Sequence, residues 1–309
     1  MPRTPSFGDV VTLNPDEFRL LRDLFAVRTG IHFGPESRFA LERRLRERLM
    51  ILKLQSFTEY HHYLRYSAQA ASEWDEAVDL LTTNETYFFR EDRQLRAFQD
   101  ELLPMLYAQA KTRRRLAVWS AGCSTGEEVY TIAILVHQSG LFPRGPGVQG
   151  APSAAWDVRI YGSDISRRCV AAARRGVYAE HSFRSTPDNL RSSFFRQEPD
   201  GWHVVEPIRQ LCHFGQMNLL DEDRSRVLGK ADAVFCRNVM IYLDARARKA
   251  AIEVLYDRLV PGGILLLGHS ESLLNVSTAF ELLHLRDDLV YRKPVSARGP
   301  HQVPDEPTR

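Results

Sequence analysis

The sequence predicts an α/β protein in two parts: an all-helical N-terminal domain, then a doubly wound α/β domain whose seven-stranded mixed sheet carries a small inserted antiparallel β-subdomain. Three observations predict it. Through residue 85 the apolar residues recur only at helical spacing. From Leu116 onward, short apolar runs alternate with helical segments, the signature of βαβ units and a mainly parallel sheet. Two apolar runs near the end are parted by only three residues, which puts an antiparallel hairpin on the edge of that sheet. At 309 residues the chain suits two cores, because single cores stop growing near about 250–300 residues.

The helical domain, residues 15–85, opens with Asn14-Pro15-Asp16-Glu17: a cap, a proline at the first helical position and acids in the first turn. Phe18, Leu21, Leu24 and Phe25 follow at helical spacing, and Gly30 ends the helix. A second helix begins near Glu36. Leu41, Leu45, Leu49 and Leu52 form its apolar stripe, with Arg38, Arg43, Arg44, Arg46, Arg48 and Lys53 spread around it, so it is amphipathic and strongly basic. Stretches 57–67 and 71–81 complete a helical bundle. The α/β domain, residues 86–293, reads as strands at 116–121, 158–162, 212–217, 233–236 and 264–268, with helices at 126–138, 166–175 and 245–259. Residues 280–285 and 289–292 supply the last two strands, joined by Arg286-Asp287-Asp288. Residues 183–211 fit no simple crossover, and the turn and strand after Asp200 mark them as the β insertion. The Gly- and Pro-rich segment 139–156 reads as a loop insertion, and 294–309 as a disordered tail.

Composition excludes several classes. A hydrophobic fraction of 44% and a charged fraction of 26% are those of a globular protein with a real core. Lys+Arg (41) and Asp+Glu (39) nearly cancel to +2, so no chain-wide polyanion surface exists and nucleic acid is not an expected partner. The four cysteines are far apart and form no CxxC pair, which signals neither a disulfide framework nor a zinc site and fits a reducing cytoplasm. The N-terminal residues hold no apolar signal core, and no run approaches the roughly 18 apolar residues of a membrane span.

Val118–Tyr130, VWSAGCSTGEEVY, places a glycine turn between the first strand and its helix, where open α/β sheets bind nucleotide-like ligands. It lacks both the third glycine of GxGxxG and the lysine of the phosphate loop, so a pyrophosphate or triphosphate is disfavoured. Glu127 and Glu128 open the helix; read alone, they offset its dipole. The next strand ends at Asp164 in YGSDIS. Such a carboxylate can accept both hydroxyls of a ribose, or simply cap the following helix. Together, a phosphate-free turn and a ribose-binding acid point to S-adenosylmethionine, whose sulfonium also suits carboxylates. Phe235–Asp244, FCRNVMIYLD, puts Arg237, Asn238 and Tyr242 at the same rim. No Pro-Pro follows Asn238, which argues against methylation of bases.

LLTTNETYFFRE (Leu80–Glu91), SAGCSTGEEVY, SDIS, NLL (Asn218–Leu220), CRNVMIYLD and LLLGHSESL (Leu265–Leu273) resemble, in order and over residues 15–293, the chemotaxis receptor methyltransferases, the CheR family. The resemblance implies a helical domain for receptor recognition, a Rossmann-like S-adenosylmethionine methyltransferase domain, and protein-glutamate O-methyltransferase activity. It implies that Asn84, Thr86, Arg90, Ala121, Glu127, Asp164, Asn218, Leu219, Arg237 and Asn238 contact the cofactor. Arg90 and Tyr242 would lie nearest the transferred methyl as the catalytic residues. The implied partner is the cytoplasmic helical domain of chemotaxis receptors, with Arg43, Arg44, Arg46 and Arg48 docking against acidic methylation helices. In some relatives the β-subdomain binds a receptor C-terminal peptide. A cytoplasmic monomer is expected. Without the resemblance, TNETYFFRE reads as a capped helix start, Thr83 with Thr86, followed by two core aromatics, Tyr87 and Phe88. The basic helix alone reads as a solvated face partly matched by Glu42 and Glu47.

A glutamate carboxylate, with a reference pKa of about 4.3, is already ionised at neutral pH and needs no general base to attack a sulfonium methyl. Catalysis is then mainly positioning, with Arg90 holding the anionic substrate and Tyr242 orienting it. Cys123 is expected as a small buried filler, and His269, His61 and His62 carry no metal-ligand spacing. The alternative function is a regulatory adaptor that binds S-adenosylmethionine or S-adenosylhomocysteine without turnover; Arg90, Asp164 and Tyr242 argue against it.

Overall fold

The computed structural model describes residues 11–143 and 155–295; most of the expected tail, 296–309, and the centre of the loop insertion, 144–154, lie outside them. Helix α1 (Pro15–Thr29) starts as the sequence predicts, since Asn14 accepts from Asp16 and Glu17 while Glu17 caps back onto Asn14. The other Glu17 oxygen accepts from Thr58 N at 3.0 Å, which ties α1 to α3. α2 (Arg38–Leu52), α3 (Phe57–Tyr66) and α4 (Ala70–Leu81) complete the bundle. Its core is Phe18, Leu21, Phe25, Leu41, Leu45, Leu49, Phe57, Tyr60 and Leu64. Phe25 meets the Trp74 ring edge-on at 5.2 Å, a contact worth about 0.5–1.5 kcal/mol beyond its burial.

The capped helix start expected at Thr83 is absent. Residues 83–87 form no helix or strand, and the helix begins at Asp92, after a turn in which Phe89 and Glu91 take left-handed backbone angles. α5 (Asp92–Ala97) and α6 (Leu103–Ala110) are joined by a π-helical turn, Phe98–Leu102. There follow β1 (Arg115–Ala121), α7 (Glu127–Gln138), β2 (Asp157–Asp164), α8 (Arg167–Arg175), β3 (Val177–Tyr178), α9 (Asp188–Phe194), β4 (Phe195–Glu198), β5 (Gly201–Val204), α10 (Glu206–Arg209), β6 (Cys212–Gln216), α11 (Glu222–Arg226), β7 (Ala231–Cys236), α12 (Ala245–Arg258), β8 (Leu259–Leu267), β9 (Glu281–His284) and β10 (Leu289–Arg292).

The main sheet has seven strands in the order β6-β2-β1-β7-β8-β10-β9. β6, β2, β1, β7 and β8 run parallel, whereas β10 pairs antiparallel with both β8 and β9. This is the mixed, doubly wound sheet expected. β8 starts at Leu259, five residues before the expected strand, because the chain turns from α12 directly into pairing with Ala231. A second sheet, β3-β5-β4, forms the antiparallel β-subdomain. Its third strand comes from Val177–Tyr178, upstream of residue 183, where two residues are too few to leave a periodic signal. β1, β2 and β6 are laid outward on one side and β7 and β8 on the other, with β10 inserted between β8 and the edge strand β9, so the order reverses between β1 and β7 and opens a crevice at their carboxyl ends.

Candidate functional site

At that crevice β1 gives way to the glycine turn. Gly122 has φ +80, and a Cβ there would stand 2.4 Å from Val239 Cγ2, so glycine is required both by its backbone angle and by the close approach of the loop after β7. Gly126, φ +97, meets Ala173 of α8 in the same way at 2.8 Å, which lets α7 start against its neighbour. Asp164 ends β2. Its two oxygens accept from Ser124 N and Ser166 N, each at 2.8 Å, so it fixes the glycine turn and the approach to α8 together. Ser166, not Asp164, caps α8. Burial raises the Asp164 carboxyl above its ordinary range, and these backbone N–H groups pull the other way.

The cavity lies between the two domains. The helical domain supplies Thr29, Ile31 and the start of the strap Leu81–Tyr87, which crosses into the α/β domain; that domain supplies Gly122–Ser124, Ser163–Ile165, Met217–Leu220, Arg237–Val239 and Tyr242–Leu243. The strap is anchored at both ends of its course: Ser124 Oγ donates to Asn84 O at 3.2 Å, and Phe88 N donates to Ser182 O at 2.9 Å. The Phe88 ring is buried among Tyr178, Phe183 and Phe195, with centroids 4.7–5.0 Å away. Phe88 is therefore core, as its residue type suggests, whereas Tyr87 lines the cavity under the Arg184 guanidinium.

Of the residues singled out in the sequence, Asn84, Thr86, Arg90, Asp164, Asn218, Leu219, Arg237, Asn238 and Tyr242 meet in this one wall. Asn218 also donates to Arg28 O at 3.0 Å, and Arg90 to Glu85 O at 3.0 Å. Ala121 and Glu127 do not line it. Ala121 is buried at the end of β1, and Glu127 is 2% exposed, accepting from Thr125 Oγ1 at 2.6 Å and Ser182 Oγ at 3.0 Å, so it links the glycine turn to the β-subdomain. The adjacent Glu128 takes the place in the wall. Spacing could not separate the two, since neighbouring residues on a helix point about 100° apart.

In the wall, Arg237 and Glu128 belong to a buried charge cluster whose third member, Glu91, the sequence did not signal. Arg237 donates to Glu128 at 3.1 Å, to Glu91 at 2.9 Å and to Arg90 O at 2.7 Å. Burial alone would raise the Glu91 carboxyl, but the Arg237 charge and hydrogen bond, with His269 and Asn238, hold it below its usual range. Glu128 goes the other way: burial raises it, and Arg237 and Ser120 only moderate the shift. Cys123 lines the cavity, yet burial beside Asp164 and Glu128 pushes its thiol well up, which disfavours a nucleophilic thiolate.

The arginines of α2 separate. Arg48 donates to both Glu73 oxygens, Arg44 donates to Leu81 O at 2.8 Å, and Arg46 pairs with Glu42; all three are partly buried. Only Arg43 of the four is exposed. His61 is buried in the bundle. At the β4–β5 tip, Glu198, Asp200 and His203 gather, with Asp200 2.7 Å from the imidazole.

The wall contains the acids Glu85, Glu128 and Asp164 against the cations Arg90 and Arg237, and no lysine. Arg237 is already matched by Glu91 and Glu128. That balance offers nothing to a polyphosphate and suits a cationic nucleoside such as S-adenosylmethionine. No helix among the described residues is long and apolar enough to cross a membrane.

Comparison with known proteins gives the same direction. The model of the CheR methyltransferase all-alpha domain matches residues 16–82, and that of the CheR methyltransferase SAM binding domain matches residues 84–288. Chemotaxis protein methyltransferase 2 of Vibrio cholerae is 34% identical over 285 residues, 92% of this chain and 95% of that protein. Chemotaxis protein methyltransferase 2 of Pseudomonas aeruginosa is 36% identical over 266 residues, 85% of this chain and 88% of that protein. The chemotaxis protein methyltransferase of Escherichia coli is 32% identical over 277 residues, 88% and 90% of the two chains.

Proposed function

We propose, from the premise that the chain belongs to the CheR methyltransferase family, that it transfers methyl groups from S-adenosylmethionine to the γ-carboxylates of glutamates in methyl-accepting chemotaxis receptors. The observation that carries this reading is the convergence, in one interdomain cavity, of the buried Asp164 carboxylate, the Arg90 guanidinium and Tyr242, which is 37% exposed at the rim.

When bound, S-adenosylmethionine supplies a sulfonium methyl; transfer forms a C–O bond to the carboxylate, breaks C–S, leaves the electron pair on sulfur and releases no proton. The protein's residues hold rather than deprotonate. Asp164, Asn84, Thr86, Asn218, Leu219 and Asn238 bind the nucleoside and its amino-acid part. The Arg90 guanidinium donates one hydrogen bond, to the Glu85 carbonyl, and forms no ion pair among the described residues, so its remaining N–H groups can engage an incoming carboxylate. Tyr242 orients it. Holding the reactants in line supplies several kcal/mol without acid–base chemistry. On the helical domain, exposed Arg43, with Arg44 behind it, gives α2 a local positive charge toward an acidic receptor helix, while Arg46 and Arg48 are matched by Glu42 and Glu73.

The test is incubation with methyl-labelled cofactor and the cytoplasmic fragment of a receptor from the same genome. Base-labile label on receptor glutamates is the expected result. Binding of S-adenosylhomocysteine without label on any receptor fragment would instead support an adaptor that senses the cofactor.

A further inference from the structure

We infer that Glu271, in the loop after β8, is a positioning residue for the site, acting through Asn238 and Tyr242; this rests on the functional reading above. Glu271 is not in the cavity wall; it borders a separate groove beside α12. Its Oε2 accepts from Asn238 N at 2.7 Å and Gly268 N at 2.8 Å, and its Oε1 from Ile241 N at 3.3 Å. Three backbone N–H groups from the loops after β7 and β8 thus converge on one carboxylate.

The loop it grips needs such a hold. Asn238 sits at φ +59, a left-handed angle that asparagine tolerates better than other side chains but that fixes the loop in one sharp turn. Asn238, Val239 and Tyr242 line the cavity, and Ile241 directly precedes Tyr242. The two loops also touch: a Cβ on Gly268 would stand 2.9 Å from Asn238 N. Only an anionic acceptor serves all three donors at once. A glutamine would turn an amide N–H toward one of them, and an aspartate would withdraw the group by a methylene. Misplacement of reacting groups by about 1 Å can cost on the order of 100-fold in rate, so the loop's set is where Glu271 acts.

The experiment is a double-mutant cycle on the full chain with E271Q and Y242F, with E271D as a second variant, reading receptor methylation, S-adenosylhomocysteine affinity and thermal midpoint. E271Q is expected to lower kcat at least about 20-fold while weakening S-adenosylhomocysteine three- to tenfold. Y242F, costing at least about fivefold in the wild type, should cost less than about twofold in the E271Q background, because the tyrosine is already misplaced. Losses that multiply independently would overturn the inference, as would a kcat loss that only follows a fallen midpoint. Should the wild type methylate no receptor fragment, the functional reading fails. Affinity then decides the inference, since unchanged S-adenosylhomocysteine binding in both E271Q and E271D removes Glu271 from the site's support.

Discussion

Arg237→Met is the perturbation whose consequences the geometry specifies most fully. The side chain is 2% exposed and is matched by Glu91 at 2.9 Å and Glu128 at 3.1 Å, whose own side chains are 13% and 17% exposed. Methionine keeps an unbranched stem but strands both carboxylates. Removing one partner of a buried ion pair costs about 3–5 kcal/mol, and for a domain of this size that lowers the melting temperature by about 6–20 °C. The pH dependence carries the sharper test. In the wild type Glu91 titrates below its unfolded value, so its stabilisation is present above the unfolded pKa and is lost as pH falls through the folded one. Glu128 titrates above its unfolded value, so its ionisation costs stability near neutrality, and that cost disappears as pH falls through the folded pKa. Without Arg237 both groups titrate high, and the variant regains stability on acidification while the wild type begins to lose the Glu91 part. Denaturant unfolding followed by circular dichroism at about pH 8 and about pH 5 should show the gap narrowing. A gap that is constant or widens at the lower pH would refute the argument that stranded carboxylates are the cause.

Asp164→Ala tests the ribose role proposed for this carboxylate; two charge-assisted hydrogen bonds of about 1.5–3 kcal/mol each predict at least a 100-fold loss of S-adenosylhomocysteine affinity. Calorimetry checks it, and unchanged affinity would remove Asp164 from the site. Arg90→Ala should lower kcat for receptor methylation about 100-fold, with Arg90→Lys failing to restore it because a point charge cannot hold a carboxylate by two parallel bonds. A variant as fast as the wild type would contradict that role. On α2, Arg43→Glu should raise KM for the receptor about fivefold at low salt, an effect fading near 0.5 M, while changing stability by less than about 0.5 kcal/mol. Arg48→Ala, by contrast, should cost about 3 kcal/mol in unfolding experiments because it strands Glu73, which is 3% exposed.

Legibility in the sequence followed how local each signal was. α1 could be read to the residue because its capping box lies within Asn14–Glu17, and β1, β2 and β7 because their apolar runs are short and bounded. The stretch 92–110 was not legible: α5 starts at a left-handed Glu91 with no side-chain cap, and the π-helical turn at Phe98–Leu102 breaks the helical period. In the site, Asp164, Arg237, Asn238 and Tyr242 were visible as polar residues ending strands, a position set by topology. Which α2 arginines are available was not visible. Arg44 and Arg48 are one turn apart and face α4, and the acid that neutralises Arg48 lies 25 residues away in sequence. Glu91 and Glu271 escaped for the same reason, since each acts on a loop from a different strand.

The strap Leu81–Tyr87 shows why its motif carried no meaning until both domains were in place. It leaves α4, whose acids Asp75, Glu76 and Asp79 face Arg167 and Arg168 at the start of α8. Asp79 accepts from Ser166 Oγ at 2.5 Å and Arg168 N at 3.2 Å, an anion at a helix N-terminus. Ser166 in turn gives its backbone N–H to Asp164. One serine therefore joins the interdomain clamp to the Asp164 carboxylate, and Asn84 is held over the same glycine turn by Ser124. The docking of the helical domain and the shape of the cofactor cavity are a single hydrogen-bonded unit. Residues such as Asn84 and Thr86, which belong to no periodic element, reach the cavity wall only because this unit holds the strap there.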